Sequence, residues 1–200
     1  MVTSLVVSSC SANEDHLLNA QCSNDVLTSK VDAVKMQELA PEDLDRLEPR
    51  FVESESRGYS FSCTVGDRTG SEGLAVALDA DFVPNRTLAT KTSLNEIIAS
   101  LPSHNEGRLV RLTSGTRGVG GASSEAGAVL LAPCALSQSK TLPPDFRKGA
   151  MRASAWAPNA PDADSLEQRQ NAADLALSIL RHAVQQCDDP PKLPESMQIE

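Results

Sequence analysis

The stretch from Tyr59 to Asp81 limits what this chain can fold into more than any other. Its first arm alternates apolar Tyr59, Phe61, Cys63 and Val65 with small polar Ser60, Ser62 and Thr64. A period of two puts each set on its own face, the mark of a half-buried strand. The second arm repeats the pattern, with Leu74, Val76 and Leu78 set against Ala75, Ala77 and Asp79. Between the arms, Gly66-Asp67-Arg68-Thr69-Gly70-Ser71 supplies residues that tolerate the positive φ of tight connections. The two arms read as a β-hairpin with Tyr59, Phe61, Cys63 and Val65 turned inward.

The flanking chain is read from the same periodicities. Val26 to Met36 is a candidate first strand, followed by a helix that starts at Ala40-Pro41-Glu42-Asp43, has Leu44 and Leu47 on one edge, and ends at Pro49. A second helix begins with the capping box Ser93-Leu94-Asn95-Glu96 and presents Leu94, Ile97, Ile98 and Leu101 at helical spacing. Arg108 to Thr113 reads as a strand, Gly115 to Gly121 as a glycine-rich turn, and Ala126 to Ala132 as another strand. Pro133 to Asn159 is rich in Pro, Ser and Ala and reads as a linker. Ser165-Leu166-Glu167-Gln168 caps a long helix running to Cys187, and the acidic tail beyond Pro190-Pro191 reads as disordered.

Two hundred residues make one ordinary domain with tails, or at most two small ones. Aromatics are only 3% of the chain, so its core must be built from Leu, Val, Ile and Ala. No apolar run approaches the ~20 residues that span a bilayer, and Leu5-Val6-Val7 has no basic flank, so no signal peptide is expected. The five cysteines (Cys10, Cys22, Cys63, Cys134, Cys187) are scattered, odd in number and without a Cys-x-x-Cys pair. They read as reduced thiols of an intracellular protein. The net charge of −9 is spread evenly, with −3 on each of 1–25, 26–140 and 141–200. No segment is basic, which argues against strong sequence-independent binding to nucleic acid.

Two motifs carry a family resemblance. Val65-Gly66-Asp67-Arg68-Thr69-Gly70-Ser71, with the alternating strand that follows, resembles the second and third strands of the OB-fold in single-strand-binding proteins of the replication protein A and single-domain SOSS type. Glu106-Gly107-Arg108-Leu109-Val110-Arg111-Leu112-Thr113 is similar to the start of that family's fourth strand. The resemblance implies a mainly β fold with helices: a five-stranded barrel over 26–138 with one inserted helix. Around it lie an N-terminal arm (1–25), a linker (139–163), a C-terminal helix (164–188) and a tail (189–200).

The resemblance also implies where binding would occur. The loop between strands four and five lines the groove of an OB-fold, which makes Gly118 and the arginines Arg68, Arg108, Arg111 and Arg117 candidate contacts to nucleic acid, with Phe82 as a possible base-stacking residue. The plainer reading of each is a solvated arginine, a bland turn or a core phenylalanine. The outer face of the hairpin offers only Ser60, Ser62, Thr64, Ala75 and Ala77, none of which stacks a base, and Asp79/Asp81 read as solvated residues flanking a strand end. The stripe Leu166, Ala173, Leu177, Leu180 and Val184 either docks partner subunits, as the resemblance implies, or packs on its own domain. The three histidines are dispersed, and no nucleophile–base or metal-ligand spacing occurs, so neither catalysis nor a cofactor is expected. The expected function is a non-catalytic, nuclear OB-fold subunit of a complex acting on single-stranded nucleic acid. The alternatives are a direct single-strand binder and a protein-interaction adaptor of another α+β fold.

Overall fold

The alternating arms do form neighbouring antiparallel strands, set in a larger sheet. The structure, a computed structural model, describes residues 35, 38, 39, 47–54, 59–67, 74–84, 110–114, 116, 118–125, 127–137, 142–158, 160, 162 and 165–199. Its strands are β1 (Leu47–Ser54), β2 (Ser60–Asp67), β3 (Leu74–Pro84), β4 (Val110–Thr113), β5 (Gly120–Ser124), β6 (Gly127–Ala135), β7 (Lys148–Trp156) and β8 (Gln198–Ile199). They lie in the order β1-β2-β3-β7-β6-β5-β4-β8, with every neighbouring pair antiparallel. A long helix, Leu166–Ala183, packs across β6, β7 and β3. The fold is therefore mainly antiparallel sheet with one long helix among the described residues.

Register assigns the faces. Phe61 lies opposite Ala80 and Cys63 opposite Leu78. Leu78 lies opposite Ala155, and Ala155 opposite Ala128. These residues join Val76, Phe82, Met151, Ala153, Leu130 and Ala132 in the core beneath the helix, which contributes Ala172, Ala173, Leu175, Ala176, Leu177, Ile179 and Leu180. Alanine on both sides lets the helix backbone come close to the sheet. Gly121 shows how tight the strands themselves are, because a Cβ there would lie 1.9 Å from the Val129 carbonyl oxygen and 2.7 Å from Leu130 Cδ2. Ser165 caps the helix by accepting a hydrogen bond from the Gln168 amide at 3.1 Å. Glu167 in the first turn and Arg181 and His182 in the last complement the helix dipole.

Several expectations are corrected. Lys148–Trp156, read as linker, is strand β7 near the middle of the sheet. Its inward residues Met151, Ala153 and Ala155 alternate with Arg152, Ser154 and Trp156, but alanine gives that alternation little hydropathic contrast. Leu47 to Pro49, read as the end of a helix, begin β1. Proline is tolerated there because β1 is an edge strand, paired only with β2 among the described residues. Lys35, in the candidate first strand, is helical, as are Glu38 and Leu39. Leu39 is buried, and Lys35 forms an ion pair with Asp174 of the long helix. Gly120–Ser124, within and just past the expected turn, is a strand built of Gly, Ala and Ser. The expected N-terminal arm and the helix from Ser93 lie outside the described residues.

The cysteines are corrected as well. Cys134 and Cys187 are joined by a disulfide with their Cα atoms 5.3 Å apart. Cys63, facing the helix from β2, is disulfide-bonded too. The physical reason is tertiary: the helix follows β7 in the chain and brings its C-terminal end to the last residues of β6. There the bridge starts an ordered strap rather than a disordered tail. The Asp188 amide donates to Ala135 O at 2.9 Å, and the Ser137 amide donates to the Asp188 carboxylate at 2.6 Å. Arg181 Nη2 donates to the carbonyls of Pro194 and Glu195, both at 2.7 Å. Met197 is buried, and β8 then pairs with β4.

Candidate functional site

The sheet face opposite the long helix carries the charged chemistry. Register lines up Ser60, Asp81, Arg152 and Leu131 in one row, and Ser62, Asp79, Ser154 and Val129 in the next. Arg152 meets Asp81 as a two-pronged fork, Nε to Oδ1 at 2.7 Å and Nη2 to Oδ2 at 2.9 Å. Both side chains are about 40% exposed, at 40% and 37%. A planar guanidinium matched to a carboxylate in this way fixes both side chains in the sheet's own register.

Asp79 sits deeper. Burial raises its carboxyl above the ordinary value of 3.8. The Ser62 hydroxyl opposes the shift by hydrogen bonding, the Asp81 charge adds to it, and Arg152 offsets part of it. Two carboxylates thus share one guanidinium. Val129 and Ala77, on the same face, are buried, and Trp156 beside Ala77 is half-buried. The corner that opens to solvent is the Asp81–Arg152 end, where Ser60 is exposed.

The candidates chosen from sequence are not brought together. Arg68, Arg108 and Arg117 lie outside the described residues. Arg111 occupies β4 opposite Ala122. Gly118 is exposed in the turn between β4 and β5, at φ +81°, a left-handed conformation that suits glycine. The Ser114 hydroxyl holds that turn: it donates to Val119 O at 2.8 Å and accepts from the Thr116 amide at 3.1 Å. Phe82 is buried beneath the long helix and presents no face to a base, a correction to its choice as a stacking residue. Ala173, Leu177, Leu180 and Val184 are buried in the chain's own core, so this stripe is taken up within the chain, while Leu166 stands out at 68% exposure.

Asp79 and Asp81 are corrected from strand-flanking residues to the middle of β3, and Arg152 was passed over because its strand read as linker. The Arg152-Ala153-Ser154-Ala155-Trp156 alternation was the available signal. Among the described residues no group of three His, Cys, Asp or Glu side chains is placed to hold a metal ion, and no helix is long and apolar enough to cross a membrane.

No protein-family model, curated protein or solved structure matches this chain.

Proposed function

We propose that this chain is a protein-interaction module that docks a basic segment of a partner on the Asp79–Asp81–Arg152 corner of its sheet. The observation that carries the reading is the excess carboxylate there: Asp81 already holds Arg152 in a fork, and partly buried Asp79 has the Ser62 hydroxyl for a partner and, among the described residues, no cation of its own at hydrogen-bond range. A partner lysine or arginine would satisfy that carboxylate, and the net charge of −9 steers cationic segments towards the molecule. The same charges repel a phosphate backbone.

The linear strand order, with β1 and β8 as its two ends, supports an open sheet over the five-stranded OB barrel. With the helix stripe buried in its own domain, it leaves less support for a single-strand-binding subunit in a nuclear complex. The test is fluorescence anisotropy of a labelled Lys/Arg-rich peptide and a labelled single-stranded oligonucleotide, at low and moderate salt. Saturable peptide binding, weakened in Asp79→Asn and Asp81→Asn, is expected. Oligonucleotide binding without peptide binding would return the nucleic-acid reading to first place.

A further inference from the structure

We propose that this chain acquires its fold in an oxidising compartment, as a substrate of a disulfide-donating oxidoreductase. The inference rests on the cysteines and is independent of the docking site. Cys134 and Cys187 are bonded to each other, and Cys63 is bonded as well. Among the described residues these three cysteines are all bonded; since bridges take cysteines in pairs, the proposal implies two bridges and one remaining thiol among the five. A glutathione-buffered cytosol keeps such pairs reduced, whereas secretory and periplasmic compartments oxidise them.

Burial separates this arrangement from a redox switch. Cys134 and Cys187 are 6% and 5% exposed, and Cys63 is fully buried at 0%. A switching disulfide must be reachable by a reductant in the folded state, and these are covered by the core they belong to. The Cys134–Cys187 bridge also sits where the C-terminal strap begins, ahead of the Asp188 contacts and β8. Its place is that of a fastening made once, during folding.

The chemistry is thiol–disulfide exchange. The Cys187 thiolate attacks the donor's disulfide, forming a mixed disulfide and releasing one donor thiolate. The Cys134 thiolate then attacks the Cys187 sulfur and releases the second. Two protons and two electrons pass from the chain's thiols to the donor, which leaves as a dithiol. The second bridge repeats the exchange with a second donor disulfide.

The test produces the full chain by secretion into an oxidising compartment and, in parallel, in a reducing cytosol. Each product is unfolded in an alkylating reagent without reductant, weighed intact and mapped by digestion. The secreted chain is expected to take one label and to yield a cross-linked peptide pair containing Cys134 and Cys187. The cytosolic chain is expected to take five labels and melt at a lower temperature. It should then lose four reactive thiols and regain the higher melting temperature on incubation with a disulfide oxidoreductase and oxidised glutathione. Five labels on the secreted chain, a cross-link from Cys134 to any other cysteine, or equal melting temperatures for the two products would each overturn the proposal.

Discussion

Removing the Cys134–Cys187 bridge tests how the helix and its strap are held. The bond joins residues 53 apart in sequence. In the chain-entropy account, closing a loop of that length in the unfolded state stabilises the fold by about 4 kcal/mol. In a chain of this size each kcal/mol moves Tm by roughly 2–4 °C, so the loss amounts to roughly 8–16 °C. The perturbation is the double variant Cys134→Ala/Cys187→Ala. Alanine leaves no hydroxyl in a site that is about 95% buried on both sides, at 6% and 5% exposure. The variant should still fold, because Arg181 keeps its hydrogen bonds to the strap, Asp188 still accepts from the Ser137 amide at the end of β6, and Met197 stays buried. Thermal melting followed by circular dichroism, without reductant, reads the difference directly. A drop of less than about 2 °C would refute the reasoning, since it would mean that the strap's non-covalent contacts already restrict the unfolded chain as tightly as the bond does.

Other perturbations address the core, the sheet and the buried carboxyl. Leu177→Ala removes a side chain 1% exposed beneath the sheet and should cost about 2–5 kcal/mol in urea unfolding, while Leu166→Ala, at 68% exposure on the same helix, should stay within about 0.5 kcal/mol. Equal losses would show that the helix is docked on a different face. Gly121→Ala drives a methyl into the Val129 carbonyl, so β5 and β6 must part. The variant is expected to be insoluble or to melt far below the parent, and a parental Tm would overturn the β5–β6 register. Asp79 has a folded-state pKa above its ordinary 3.8, so in the window between the two values the folded chain holds that proton more tightly than the unfolded chain, and stability falls as pH rises through it. Asp79→Asn is therefore expected to be more stable than the parent at neutral pH, with the difference closing as pH falls below that window. Urea midpoints across the acid range check this, and a variant less stable than the parent at neutral pH would overturn the direction of the shift.

The parts of the fold legible in the sequence are those whose contrast is local. Phe61 and Cys63 against Ser62 and Thr64, or Leu177 and Leu180 with the Ser165 cap, declare strand and helix within a few residues, because large apolar and polar side chains alternate at the right period. Strands β5 and β7 do not, although β7 keeps a strict period of two. Its inward positions are Met151, Ala153 and Ala155, and β5 reads Gly-Gly-Ala-Ser-Ser. Small residues are required there by the close approach of strands and helix, and small residues are also what a linker is made of. The physical cause that shapes the centre of the sheet therefore removes its hydropathic signature.

The site followed the same rule. Without β7 there is no Arg152 beside Asp81, and Asp79 and Asp81 look like solvated carboxylates at a strand end. The family resemblance failed to reach the topology for a related reason. The motif Val65 to Ser71 bears on the pairing of its two flanking strands, and β2 and β3 are neighbours. What lies on the far side of β3 is decided by a strand whose register begins at Trp156 opposite Ala77, about 80 residues later in the chain, and loop closure over that distance carries almost no sequence signal. Disulfide pairing is non-local in the same sense: Cys134 and Cys187 meet only because the long helix, once seated on β6, β7 and β3, returns the chain to the end of β6. Strand β7 thus decides at once the sheet order, the charged corner and the path by which the helix reaches Cys134, so the disruption of β7 should abolish all three together.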